Sequence, residues 1–153
     1  MKFEILNPEI QAFINQNLDT NVVQLAFKKN SFEKVEFPEI INQIVCKNKA
    51  KIKLPTWYET ENIIYPSKIS LEQTSSEITA KHKARLVSGE NLIDLTGGFG
   101  IDDYYFSKQM KNVIHCEINS DLSQIVAQNF QQLNCTNIQC KTKKTKRILS
   151  NLN

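Results

Sequence analysis

Residues 91–117 read NLIDLTGGFGIDDYYFSKQMKNVIHCE, and this stretch decides the fold. Leu92, Ile93 and Leu95 predict a buried strand, and Asp94-Leu95-Thr96-Gly97-Gly98-Phe99-Gly100 a glycine turn. A helix is expected from about Gly100 to Met110, then a strand from Asn112 to Glu117 that ends in a carboxylate. Strand, tight turn, helix and second strand make the unit that holds the nucleoside half of a nucleotide at the carboxyl ends of a parallel sheet.

On either side of this stretch the pattern continues. Thr74 and Glu77 have the spacing of a capping box, which predicts a helix over roughly residues 75–87. Ala80, Ala84 and Val87 would let that helix lie close to a sheet. Downstream, a helix from Ser120 carries Leu122, Ile125, Val126, Phe130 and Leu133 on one face, and Asn137 to Cys140 open a third strand. Strands alternating with helices imply parallel pairing with crossover connections. The fold class is therefore α/β: a helical N-terminal region followed by an incomplete Rossmann-like parallel sheet.

The first seventy residues predict helices and no chemistry. Asn7 before Pro8 is a cap and a favoured first helical residue, after which Ile10, Phe13 and Ile14 share a face. A second short helix follows Asp19 or Thr20, with Val22, Val23, Ala26 and Phe27 expected to be buried. A third starts at Pro38 with Ile40, Ile41, Ile44 and Val45 on one side and ends in the basic run 47–53, read as a solvated helix end or an RNA contact. Pro55, Trp57 and Pro66 are taken as the joining segment. The expected domains are 1–70, helical; 71–140, nucleotide-binding; and 141–153, a basic tail.

Composition bounds the function. The chain has 153 residues, of which 41% are apolar, with four glycines and four prolines, enough for a real core. Its formal charge of +3 comes from Lys141, Lys143, Lys144, Lys146 and Arg147 near the end; without them the chain is acidic. Nucleic-acid binding by the body of the chain is not implied. The opening MKFEILNPEI lacks a signal-peptide core, and no run is apolar enough to span a membrane, so a cytoplasmic protein without a membrane partner is expected. Cys46, Cys116, Cys135 and Cys140 form no C-x-x-C pair and read as reduced structural thiols, with no metal site expected.

The chemistry concentrates in the turn and the strand after it. Gly98 and Gly100 let backbone approach a ligand closely. Asp94, ending the first strand, can attract an ammonium group; Thr96 and Gly97 complete the turn. Glu117 lies seventeen residues past Gly100, where its carboxylate can accept hydrogen bonds from both hydroxyls of a ribose. A dinucleotide site would read G-x-G-x-x-G. Here Gly98-Phe99-Gly100 is followed by Ile101-Asp102-Asp103, with no third glycine and two carboxylates where a diphosphate would be repelled. That favours a cationic cofactor over NAD. Asp102 serves either the ligand or the dipole of its helix.

These residues resemble a known group. The turn fits the D-x-x-x-G-x-G form of S-adenosylmethionine-dependent methyltransferases. The stretch 71–77, LEQTSSE, followed by Thr79-Ala80 and then DLTGGFGID, resembles bacterial class I enzymes of that kind whose full-length members carry a THUMP-like C-terminal domain. KLPTW, YPSKISLEQ and QNFQQLNCTNI look like that group too, so the likeness covers roughly residues 8–140. It implies S-adenosyl-L-methionine as cofactor and an RNA substrate. It also implies that Gln73, Thr74, Ser75 and Ser76 belong to a segment closing over the cofactor, although Thr74 or Ser75 capping a helix is equally compatible.

The chain departs from the group after Cys140, where KTKKTKRILSNLN replaces the expected further strands and their Asp-Pro motif. The expectation is an N-terminal fragment holding the cofactor half without the acceptor side, its catalytic residues unknown. Such a fragment would self-associate, partly unfold, or need a partner chain or the missing half to complete its sheet. The alternative is a non-catalytic module that binds RNA or protein.

Overall fold

In a computed structural model, residues 3–27 and 30–142 are described. The chain divides into two compact units, residues 1–71 and 72–153. Of the basic tail, residues 143–153 lie outside the described residues. Lys141 is not tail: it ends the third strand, and its carbonyl receives the Glu117 N–H at 3.1 Å.

The first unit opens with a 3-10 turn, Phe3–Leu6, then α1 (Pro8–Gln16), α2 (Val22–Ala26), α3 (Phe37–Lys53) and α4 (Pro55–Glu59). Asn7 caps α1 as its sequence implies, accepting from the Glu9 N–H. The expected burial in α2 is corrected. Leu25 is its buried residue, whereas Val23 and Phe27 are 65% and 86% exposed. Five residues make too little helix for a periodic face, and Asn21 caps them by accepting the Val23 N–H. On α3, Ile40 and Ile44 are buried with Gln43, Cys46 and Ala50, while Ile41 and Val45 are only half-buried.

The segment read as a joining stretch is instead core. Trp57 is wholly buried, and Ile63, Ile64 and Tyr65 are nearly so. Irregular backbone can be buried only if its polar groups are paired. Gln43 does this from α3: its Nε2 donates to the Tyr65 carbonyl and its Oε1 accepts the Tyr65 N–H, both at 2.8 Å. Asn42 holds the Pro66 carbonyl at 2.9 Å, and the Tyr65 hydroxyl donates to the Trp57 carbonyl at 3.2 Å.

Helix α5 (Lys68–Gln73) leads into the second unit, which continues α6 (Glu77–Ala84), β1 (Asn91–Asp94), α7 (Ile101–Phe106), β2 (Asn112–Cys116), α8 (Ser120–Gln132) and β3 (Ile138–Lys141). The sheet is parallel throughout, in the order β1-β2-β3. The capping box does not form. Ser76, not Thr74, caps α6 by accepting the Thr79 N–H at 3.2 Å, and Glu77 is buried at the first helical position, where it accepts from the Tyr105 hydroxyl at 2.6 Å. Helix α6 ends before Val87, so only Ala80 and Ala84 form its small buried face.

Strand burial differs from expectation in an informative way. Central β2 buries Val113, His115 and Cys116, but in β1 Leu92 and Ile93 are half-buried, as is Leu95 beyond it. Among the described residues β1 pairs on one side only, so water reaches its outer flank. The apolar face of α8 is as read: Ile125, Val126 and Phe130 are buried, Leu133 is 8% exposed and Leu122 is half-buried.

Candidate functional site

Parallel pairing puts the carboxyl ends of β1 and β2 side by side, with Asp94 opposite His115 in register and Glu117 directly after Cys116. The turn is stitched to that end. Gly97 N–H donates to the Cys116 carbonyl at 3.0 Å, and Gly100 N–H closes the loop onto the Gly97 carbonyl at 2.8 Å. The glycine loop therefore lies over the end of β2, one residue before Glu117.

Three glycines do three different things. Gly98 has φ +54°, and a Cβ built on it meets nothing closer than the Thr96 carbonyl at 3.8 Å, so its face is open to a ligand. Gly100 has φ +77°, and its missing side chain leaves room for Val126 and Phe130 of α8. Gly97 has no room above β2: a Cβ there would lie 2.1 Å from His115 Nδ1.

Both candidate carboxylates stand at this end. One oxygen of Asp94 accepts from the Thr96 N–H at 2.8 Å and the Thr96 hydroxyl at 3.4 Å. One oxygen of Glu117 accepts from the Asn119 N–H at 2.7 Å. Asn119 in turn caps α8, receiving Asp121 N–H at 3.0 Å and Leu122 N–H at 3.1 Å. Each carboxylate thus spends one oxygen on its own turn, which fixes its direction and leaves the other for a ligand. Ile118, next to Glu117, is 65% exposed, an aliphatic face beside the carboxylate that the sequence reading did not single out.

The segment before the sheet is brought to the site in part. Ser75 donates to Asp102 Oδ2 at 3.0 Å, and Lys83 Nζ bridges both, at 2.9 Å to Ser75 and 2.7 Å to Asp102. Asp102 is therefore held by α6 and the residue before its cap, as an internal tie. Ser76 caps α6. Among the described residues, Gln73 and Thr74 make no hydrogen bond to the turn, and Gln73 is exposed.

The sequence reading missed the pair beneath the turn. His115 Nδ1 and Asp103 Oδ2 lie 2.5 Å apart, both fully buried. Asp103 occupies the place of a third glycine, where the helix would pack closely on the strand; its carboxylate reaches across α7 to β2 instead. Contrary to expectation, the two carboxylates do not both stand where a diphosphate would lie. Asp103 points into the core, and Asp102 is matched by Lys83. A polar His within the apolar β2 pattern was the available signal. Burial pushes the Asp103 carboxyl up to about 6, against the opposing pull of its hydrogen bond to His115. Burial likewise raises the Cys116 thiol and takes Cys140 up to about 12, so neither is a ready thiolate. None of the four cysteines is in a disulfide.

Among the described residues, no helix is long and apolar enough to cross a membrane, and no cluster of His, Cys, Asp or Glu could hold a metal ion. The chain matches no protein-family profile and no curated protein. It is similar to a crystal structure described as "putative methyltransferase from Porphyromonas gingivalis W83", with a TM-score of 0.80 and 25% identity, over 96% of this chain and 37% of that one. The chain thus spans well under half the length of the solved chain it matches. A helical region followed by a three-stranded parallel sheet is, in this chain, a methyltransferase-like α/β fold.

Proposed function

We propose that this chain is the cofactor-binding portion of an S-adenosyl-L-methionine-dependent methyltransferase. The observation that carries the reading is the open, left-handed Gly98 turn tied through Gly97 to the end of β2, where Glu117 follows. A Cβ-free cradle between two carboxylates fits this cofactor. Asp94 supplies an anion for its ammonium group, Glu117 an acceptor for its ribose hydroxyls, and exposed Ile118 an apolar face for a purine ring. Gly97 and Gly100 shape the turn, and Thr96 fixes the Asp94 carboxylate through two hydrogen bonds. Ser75 and Asp102 act through the Lys83 tie, holding residues 73–76 near the start of α7. When bound, the cofactor supplies an electrophilic methyl group on a cationic sulfur. The chain's residues hold and orient it, and orientation is the larger part of what such a transfer asks of a protein.

An RNA acceptor, bacterial origin and a THUMP-like domain in the whole protein are supported by the sequence likeness at residues 71–80 and 94–102. They are proposals, as is a domain boundary near residue 70. Calorimetry with S-adenosylhomocysteine tests the cofactor reading on wild type, Gly98→Val and Glu117→Ala. Binding is expected from wild type and a weakening of at least about tenfold from each variant. Equal heats from all three proteins would remove the reading.

A further inference from the structure

Nothing in the proposed cofactor contacts uses Asp103 or His115, yet the chain buries both completely. Burying such groups is costly unless all their polar atoms are paired, and an apolar pair would fill the volume more cheaply. Here the pairing is incomplete: His115 Nε2 and Asp103 Oδ1 have no hydrogen-bond partner among the described residues. The position shows what this cost maintains. A Cβ on Gly97 would sit 2.1 and 2.3 Å from His115 Nδ1 and Cε1 and 2.9 Å from Asp103 Oδ2, so the bare main chain of Gly97 rests directly on the pair. Phe130 holds the imidazole edge-on, with ring centroids 6.0 Å apart and planes at 88°.

We propose that Asp103 and His115 are positioning residues of the nucleotide site, a buried polar bridge from α7 to β2 that sets the height of the Gly97–Gly98 main chain and places charge beneath it. The proposal rests on the cofactor reading above, and neither residue touches the ligand.

The bridge also carries a proton that the turn can sense. The groups that face Asp103 are Asp94 at the end of β1, Asp102 beside it on α7, His115 and Cys116 on β2, and Cys140 on β3. With its pKa pushed up to about 6, the Asp103 carboxyl gains a proton, and loses its negative charge, just below neutral pH. A ligand with an ammonium group near Asp94 then feels less attraction from below the turn.

The test uses the full chain and follows the Asp103 carboxyl through its side-chain carbon signal. In the ligand-free chain, the Gly97 and Gly98 amide resonances are expected to move with the Asp103 carboxyl signal through one midpoint near 6. S-adenosylhomocysteine affinity should fall between pH 7.5 and 5.5. Asp103→Asn, which keeps the shape of the bridge, should bind roughly three- to tenfold more weakly at pH 7.5 and show a flat profile. Wild-type binding with an Asp103→Asn profile parallel to it overturns this proposal and leaves the cofactor reading standing. No binding by wild type at any pH overturns both. Should Asp103→Asn not fold, the ligand-free titration decides, and glycine amides that stay still while the Asp103 carboxyl titrates refute the coupling.

Discussion

Adding one methyl group in turn at Gly97, Gly98 and Gly100 separates three roles within four residues. At Gly98 the alanine must adopt φ +54° but meets open space. The left-handed backbone costs about 1–2 kcal/mol, and the stiffer unfolded chain returns about 0.4–1 kcal/mol, for a net loss on the order of 1 kcal/mol. Gly100 has the same backbone terms at φ +77°, but its Cβ also meets Phe130 Cζ at 2.7 Å and Val126 Cγ1 at 2.9 Å. Overpacking of this kind adds about 1–3 kcal/mol. Gly97 has no left-handed penalty, yet its Cβ would collide with His115 and Asp103, which are fully buried and cannot swing away. Losing their hydrogen bond adds about 1–3 kcal/mol to the overpacking cost. The expected order of destabilisation is Gly97→Ala, Gly100→Ala, Gly98→Ala. In urea, with a slope of about 1–3 kcal/mol per molar, the Gly100→Ala midpoint should fall by about 1 M or more and that of Gly98→Ala by roughly half as much. Gly98→Ala should remain folded while weakening S-adenosylhomocysteine binding. If Gly98→Ala proves less stable than Gly100→Ala, or Gly97→Ala matches wild type, the packing described for the turn is wrong.

Three further outcomes are expected. The Asp103 carboxyl is raised from 3.8 to about 6 on folding, so its contribution to stability is fully present below pH 4 and is lost as pH rises through 6. Wild type should lose on the order of 1–3 kcal/mol relative to Asp103→Asn between pH 4 and 7 in denaturant titrations; a constant difference would contradict this. Asn119→Ala removes a side chain that caps two N–H groups of α8 and should cost about 1–2 kcal/mol by the same measurement. Ligand binding should change far less, because the backbone N–H of residue 119 that fixes Glu117 is retained. Trp57→Ala empties the core of the first unit and should cost about 3–5 kcal/mol; near-native stability would show that residues 54–65 are not the core described.

Local chemistry made much of this chain legible from its letters. Asn7-Pro8 starts a helix, the α8 stripe faces a core, and strand, glycine turn, helix and strand make a parallel pair with Asp94 and Glu117 at one end. These features depend on neighbours in sequence, so period, caps and turn residues carry them. What failed depended on distant partners. The sequence predicts Thr74 or Ser75 as the cap, and Ser76 caps α6 instead, beside Glu77, which accepts from the Tyr105 hydroxyl. Trp57 and Tyr65 look like a linker until Gln43, 22 residues before Tyr65, pairs with its backbone.

By itself, then, the sequence determined the α/β order, the open Gly98 turn and the two carboxylates beside it, because each follows from residues a few positions apart. Only the tertiary structure decided that Asp103 turns inward to His115, that Lys83 ties Ser75 to Asp102, and that each glycine of the turn answers to a different neighbour. The physical reason is that burial and polar pairing are properties of three-dimensional proximity: no residue type or spacing states which buried atom will face which.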